Sequence, residues 1–544
     1  MKIPIIVGVT GHRNLRKEDL EPLRNAVRTE LQRFKTWYPN SPLSMTNSLA
    51  AGADQLCAEI AIELNIPVIV PLPMSIVSYR KDFEGKDLDK FNRLLEQSEE
   101  TFIAPYVENS QALTREYFYR QAGLYIIRNC HVLLALWDGF PEKTSECGTA
   151  ALVDLRINPN YIENDPILKP ITGGAVLQIV TPRESQPPLP DCYSVKIIEK
   201  SKGNLHEILK KTEEFNTDIG LSPISSDNKW AEDSILNKMS INERHLRDLY
   251  VASDQLSIHF RDKYLKHLKY LSFCSVALVV SFLLYDELES DLFLMIYGIM
   301  MLAAFAIYVV SKRNRYHAKY LSYRTLAETA RVWVFLLLMQ LEENLSVGFS
   351  WVQDGTWIKQ AVAALKIGGD THEAVDIQKI KTIWIDDQLN YYRAAVTKTK
   401  KAELLNTNIT RTMIMASMAL FLMVIVLEFG FKHIVLISIP IESIRSLLLI
   451  HESQGLIVRG LLKILLGLVS ATTVFLSNYY GKLSLQSKLA EYEKMAAIYS
   501  SAKIRFENSE IDKRKLLLEL AREEMVENGN WLNYCGNNEV EIKI

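Results

Sequence analysis

The residues best suited to chemistry fall in four short stretches of the N-terminal 150 residues. Gly8-Val9-Thr10-Gly11-His12-Arg13 combines two glycines that allow close backbone approach, a hydroxyl, and an arginine whose planar fork suits bidentate contact with phosphate. Ser48-Leu49-Ala50-Ala51-Gly52-Ala53-Asp54 is small and hydroxyl-bearing, and it runs into a helix with Asp54 near the cap. Pro71-Leu72-Pro73 through Tyr79-Arg80-Lys81-Asp82-Phe83 adds an aromatic and two cations. Trp137-Asp138-Gly139, together with Gly148-Thr149 at the start of a further expected helix, makes the fourth. One glycine-rich turn after a strand is commonly only a turn. Four at one sheet edge, with free N–H groups and helix N-termini, form a site for an anionic ligand. For His12 a loop hydrogen bond and a direct ligand contact both remain open, whereas His131, at the start of an apolar strand, reads as a core histidine.

Several other chemistries lack their residues. No G-x-G-x-x-G follows the first apolar run, and no G-x-x-x-x-G-K-[ST] occurs, so neither the usual dinucleotide fingerprint nor a Walker-type ATPase is supported. The cysteines Cys57, Cys130, Cys147, Cys192, Cys274 and Cys535 include no C-x-x-C pair, and the ten histidines include no H-E-x-x-H. They read as reduced thiols, with neither a disulfide framework nor a metal centre expected. With 62 Lys+Arg against 64 Asp+Glu the net charge is −2, which gives no case for a nucleic-acid partner.

The elements that would position the four stretches are legible. Apolar runs at 3–9, 43–49, 66–71, 101–104 and 132–137 are mostly separated by helix-length stretches such as 17–35, 54–64 and 115–128. That alternation predicts an α/β, Rossmann-like, doubly wound parallel sheet, to which 176–181 and 193–198 add one or two strands. The run after Lys2 is too short for a signal-peptide core and is read as a buried strand, placing the N-terminus in the cytosol. Composition shifts at Gly220-Leu221-Ser222-Pro223, so residues 1–220 are expected to form a ligand-binding domain and 221–234 a linker.

Beyond the linker the chain is expected to be all-α and membrane-embedded, with four transmembrane helices in two hairpins. The spans fall at about 270–285, 292–311, 412–430 and 460–481. The first two flank the acidic turn Asp286-Glu287-Leu288-Glu289-Ser290-Asp291. Arg261, Lys263, Lys266 and Lys269 precede the first span; Lys312, Arg313, Arg315 and Lys319 follow the second; Lys398, Lys400, Lys401 and Arg411 precede the third. The positive-inside rule therefore puts the long connecting helices in the cytosol, at the inner (cytoplasmic) membrane. The segment 431–462, with Pro440, reads as re-entrant or interfacial.

A duplication is suggested by Asp254-Gln255-Leu256 and its echo Asp387-Gln388-Leu389, and by Tyr323-Arg324-Thr325-Leu326-Ala327 against Tyr492-Glu493-Lys494-Met495-Ala496. It divides the membrane part into units at 235–345 and 378–530, joined by 346–377, with 331–345 and 512–531 as amphipathic cytosolic ends.

The run Gly8-Val9-Thr10-Gly11-His12-Arg13, the loop Ser48 through Ala51-Gly52-Ala53-Asp54, and Leu136-Trp137-Asp138-Gly139 followed by Gly148-Thr149 resemble the SLOG family of Rossmann-like nucleotide sensors, related to the lysine-decarboxylase-like proteins. The membrane part resembles the SLATT class of helical effectors that accompany such sensors in prokaryotic antiphage defence. The resemblance implies binding of a nucleotide second messenger, ADP-ribose- or NAD-derived or cyclic, that triggers a pore or other membrane disruption. It also implies a separate messenger-producing enzyme, and the small number of spans per chain implies a homo-oligomer. No further cofactor is expected.

Enzymatic relatives carry G-G-x-G-T-x-x-E, whose glutamate helps to cleave a glycosidic bond. Here Gly148-Thr149-Ala150-Ala151 is followed by Leu152, which favours binding over turnover, with Glu146 or Asp138 as the carboxylates left for altered chemistry. Two alternatives stand beside the gated effector. A membrane-anchored enzyme would cleave a nucleotide or NAD-like substrate. An ion channel or transporter with a nucleotide regulatory domain would need polar pore residues, and the spans carry little beyond Ser275, Ser281, Ser311, Ser417, Ser470, Thr472 and Thr473.

Overall fold

The computed structural model describes residues 1–106, 114–141, 147–158, 173–185, 187–200, 204–221, 239–341, 355–368, 376–426, 452–483 and 485–536. Its N-terminal part runs β1 (Ile5–Gly11), α1 (Leu20–Trp37), β2 (Leu43–Thr46), α2 (Ala53–Glu63), β3 (Val68–Leu72), α3 (Ile76–Tyr79), α4 (Gly85–Glu96), β4 (Glu100–Ile103), α5 (Arg115–Asn129), β5 (Val132–Trp137), α6 (Thr149–Ile157), β6 (Ala175–Val180), β7 (Val195–Ile198) and α7 (Asn204–Asp218). The strands form one sheet in the order β4-β3-β2-β1-β5-β6-β7. Pairing is parallel throughout except for β7, which runs antiparallel to β6. No helix lies among the described residues between β6 and β7, so the chain returns as a hairpin instead of crossing over.

Hydrophobicity decides the order. The mostly apolar strands β1, β5 and β6, broken only by Thr10 and Gln178, are buried on both faces, as central strands must be, while β4 and β7 are half-exposed edges. Alternation along β1 sends Gly8 and Gly11 to opposite faces. A Cβ on Gly8 would come within 2.9 Å of Ile126 and Cys130, and one on Gly11 within 2.4 Å of the Ala53 Cβ. The two glycines thus let α5 and α2 approach the sheet from either side. His131 lies in the core as expected; its Nδ1 accepts the Ile6 N–H at 3.0 Å, and burial beside Arg156 pushes its pKa down to about 3.

The remaining helices are α8 (Ile241–Leu288), α9 (Asp291–Arg313), α10 (Tyr316–Leu338), α11 (Gly355–Leu365), α12 (Ile377–Ile380), α13 (Asp387–Ile425), α14 (Glu452–Leu483), α15 (Leu485–Glu507) and α16 (Lys513–Gly536). The acidic turn is shorter than the sequence suggests: α8 continues through Leu288, and the reversal falls at Glu289, with φ +46°, and Ser290. Three helical stretches, Ile241–Leu288, Asp291–Leu338 and Ile377–Ile425, are long and apolar enough to cross a membrane. Where a fourth span is expected, the stretch of α14 at Gly460–Leu476 is apolar but, among the described residues, shorter than those three. The 431–462 region lies outside the described residues as far as residue 451, and from Glu452 onward it belongs to α14.

By its contacts the chain divides into two compact units, Met1–Ser257 with Leu321–Ile377 and Leu517–Cys535, and Ile258–Tyr320 with Gln378–Leu516 and Gly536–Ile544. The first unit does not end near residue 220, because α7 is finished by later parts of the chain. Trp357 on α11 donates its Nε1–H to Thr212 Oγ1 at 3.1 Å, and the Tyr323 hydroxyl on α10 donates to Asp218 Oδ2 at 2.6 Å. The Phe215 ring meets both aromatics edge-on, at 5.3 Å from Tyr323 and 6.3 Å from Trp357. Residues 331–339, expected to be amphipathic, are buried on nearly all sides by this packing. Within it Arg331 pairs with Glu328 at 2.6 Å and with Glu524 of α16 at 3.3 Å, and Arg324 pairs with Asp254 at 2.9 Å. In the second unit α13 and α15 pack through Tyr392 stacked on Tyr499, centroids 5.6 Å apart, and through Lys503–Asp386 at 2.6 Å. Ser417 of α13 meets Ser470 of α14 at 3.3 Å.

Candidate functional site

In the sheet order, β1 leads to β2 on one side and has β5 on the other. Loops leaving such a pair diverge to opposite faces and open a crevice at the strands' carboxyl ends, where open α/β sheets bind ligands. A cleft of about 760 Å³ lies there. It is large enough for a nucleotide, since ligand sites run from about 300 to 1,000 Å³. The first loop contributes Thr10, Gly11, His12, Arg13 and Asn14; the second Ser48, Ala50 and Asp54; the start of α6 contributes Gly148, Thr149 and Leu152.

The first two loops are locked together through their backbones. Ala53 N–H donates to the His12 carbonyl at 3.1 Å, and Gly52, with φ +83°, sits so close that a Cβ there would lie 2.1 Å from the Arg13 carbonyl oxygen. Asn47 holds the second loop from inside, donating to the Asp54 carbonyl at 2.9 Å and accepting from Leu49 N–H at 2.7 Å. Ser48 Oγ ties it to the Pro71 carbonyl of β3 at 2.8 Å. Gly52→Ala is therefore expected to lower the unfolding free energy by about 2 kcal/mol, from left-handed strain plus backbone collision. A denaturation midpoint of the full chain in detergent that stays at the wild-type value would refute this locking.

Not every expected ligand residue faces the cleft. Gly8, Ala51, Gly52, Ala53, Arg80, Trp137, Asp138 and Gly139 are not among its lining residues. Gly8, Gly52 and Ala53 serve helix and loop packing, as described above, and Arg80 is exposed on the short turn Arg80–Asp82. Trp137 donates its Nε1–H to the Phe140 carbonyl at 3.1 Å, and Gly139, with φ +88°, turns the chain beside Gln178. Asp138 is buried and engaged in structure: it accepts from Phe140 N–H at 3.0 Å and from Arg183 Nε at 2.8 Å. Its own N–H donates to His12 Nε2 at 3.1 Å, so His12 makes the loop hydrogen bond while its side also lines the cleft. Glu146, the other carboxylate considered for chemistry, lies outside the described residues.

Three cleft residues carry no local sequence motif, because they come from one helix face and one loop. Glu116 and Tyr119 project from α5, and Arg183 follows β6 and is aimed by Asp138; of the third stretch, the buried Tyr79 lines the cleft and Arg80 does not. Arg13 lies over the Tyr119 ring, 5.2 Å from its centroid. The Tyr119 hydroxyl in turn donates to Asp82, which also pairs with Arg115. Cys147 Sγ lies 3.8 Å from Glu116 Oε1.

The cleft thus offers two cations, Arg13 and Arg183, and the α6 N-terminus, whose cap position Gly148 provides no side-chain hydrogen bond. Against them stand the carboxyl groups of Asp54, Glu116 and Glu184. Burial pushes Asp54 up to about 7 despite main-chain hydrogen bonds from Ala50 and Ser48 and the nearby Arg13 charge. Such a mixture suits a ligand with phosphates for the cations and hydroxyls for the carboxyls. Among the described residues no group of three His, Cys, Asp or Glu is placed to hold a metal ion. In comparison with known proteins, no family model matches the chain and no curated protein is significantly similar to it.

Proposed function

We propose that this protein is a nucleotide-gated membrane effector. A nucleotide messenger of the ADP-ribose, NAD-derived or cyclic class binds the cleft, and the helical part, with four spans per chain in a homo-oligomer, then opens a path through the membrane or disrupts it. The observation that carries the reading is the cleft at the strand-order reversal, with Arg13, Arg183 and the α6 N-terminus, in a chain whose helices Ile241–Leu288, Asp291–Leu338 and Ile377–Ile425 are long and apolar enough to cross a membrane. Gating requires the ligand to bind the two states with different affinity. Leu152 lines the cleft at the position of the enzymatic glutamate in the SLOG relatives, which supports binding without turnover. The anchored-enzyme reading draws on one observation of its own, the Asp54 and Glu116 carboxyl groups in the same cleft.

The test uses the full chain in detergent, because the first unit includes residues beyond 320. Thermal shift is measured with ADP-ribose, NAD and cyclic oligonucleotides, followed by chromatography of each compound. At least one is expected to stabilise the protein by mass action and to be recovered intact. Arg13→Ala is expected to weaken that compound by roughly 10- to 100-fold, the value of a charge-assisted hydrogen bond to phosphate. Recovery of a cleaved product would replace the effector by the enzyme, and no shift with any compound would remove the nucleotide reading.

A further inference from the structure

The first unit holds both ends of one helical hairpin and attaches them to two helices of the α/β part, α5 and α7. One end is the start of α8. There Gly368, just beyond α11, has φ +150°, and a Cβ on it would lie 2.5 Å from Asn242 Nδ2 of α8 and 2.6 Å from the Glu100 carboxylate of β4. Its N–H donates to the Tyr125 hydroxyl of α5 at 3.3 Å, and the Tyr125 ring stands edge-on to Phe102 of β4 at 5.3 Å. Thus α5, β4 and the first turn of α8 converge on a residue that only glycine can occupy. The other end is α10, held on α7 by Tyr323–Asp218 and the Phe215–Trp357 rings.

The same α5 supplies Glu116, Tyr119, Ala122, Gly123 and Ile126 to the cleft. Successive turns of one rigid helix therefore face the cleft and the Gly368 junction. From that junction α8 runs as one unbroken helix through its apolar stretch to Leu288, and α10 follows α9 after a two-residue turn. The corresponding helices of the second hairpin, α13 and α15, are paired with each other in the second unit.

We propose that the first hairpin, α8–α9, is the input hairpin: occupancy of the cleft reaches it through α5 and the Tyr125–Gly368 contact, with α10 held fixed on α7 as the fulcrum. The inference rests on the cleft being the ligand site, but its test needs no ligand. Coupling between two sites is reciprocal. Loosening the junction must therefore loosen the cleft face of α5, although Tyr125 and Gly368 are absent from the cleft lining.

Amide hydrogen exchange is measured on the full chain in lipid nanodiscs for wild type and Tyr125→Phe, which removes the acceptor and keeps the ring. Exchange is expected to rise about fivefold, the effect of one lost hydrogen bond, both at 241–250 of α8 and at 119–126 of α5. Gly368→Ala, which strains the backbone at φ +150° and displaces the Asn242 and Glu100 side-chain ends, is expected to do the same more strongly, and Leu31→Ala in the α1 core serves as a destabilised control that leaves 241–250 unchanged. Changes confined to the Gly368 amide and its neighbours in sequence, or equal changes in the control, would overturn the proposal. A failure of the nucleotide screen with a positive exchange result would remove the ligand and leave the junction standing.

Discussion

Trp357→Ala is expected to cost the first unit about 3–5 kcal/mol, the range for emptying a buried large aromatic site. Trp357 is 2% exposed and fills the space between α7, α10 and α11, where its ring lies 6.3 Å from Phe215 and 6.4 Å from Tyr323. Truncation leaves a cavity lined by aromatics and removes the bond to Thr212, whose hydroxyl keeps its own bond to the Ile208 carbonyl at 3.1 Å. No buried donor is then stranded, so the cost is mostly cavity and lost dispersion. Trp37→Ala provides the contrast: Trp37 is 52% exposed and should change stability by no more than about 0.5 kcal/mol. The readout is unfolding of the full chain in detergent, with the α/β domain followed through proteolysis after Arg13. If Trp357→Ala cost less than about 1 kcal/mol, α11 would be an appendage of the α/β domain instead of part of its core.

Stability should also depend on pH through Asp54. Its carboxyl is raised from 3.8 to about 7 by burial, so the folded state holds the proton more tightly than the unfolded chain does. The contribution is fully present below about pH 4 and is lost as pH rises through about 7. A shift of about three units corresponds to roughly 4 kcal/mol across that window. Asp54→Asn keeps the shape and cannot ionise. Relative to wild type it is expected to gain stability steadily from pH 4 to pH 7, reaching a plateau above pH 8. Parallel stability curves for the two proteins would show that the carboxyl is already ionised at low pH. The same proton matters to binding, because an anion drawn in by Arg13 disfavours the ionised form of Asp54, and tighter binding at pH 6 than at pH 8 follows.

The five principal strands and three of the helices around the site were legible because their apolar runs and helical periods are local properties. Arg13, Ser48, Asp54, Gly148 and Thr149, which follow strands in the α/β alternation, line one cleft, as their loop composition alone suggests. Arg80 could not be told from Tyr79, since the choice depends on which of two adjacent side chains a short helix turns inward, and the structure buries Tyr79. Glu116, Tyr119 and Arg183 escaped for a similar reason: nothing in their own neighbourhoods marks them, and they matter only because α5 and the turn after β6 close on the same cleft.

By itself the sequence determined the α/β class, the loops at the sheet's carboxyl edge and the existence of long apolar helices, all consequences of pattern within a window of twenty residues. Only the tertiary structure decided that β7 turns back, that Gly8 and Gly52 serve packing, that Asp138 aims Arg183, and that residues 321–377 and 517–535 complete the unit containing the α/β sheet. Each of these depends on contacts between residues far apart in the chain, where burial of Phe215 or Trp357 outweighs any local preference and leaves no periodic trace.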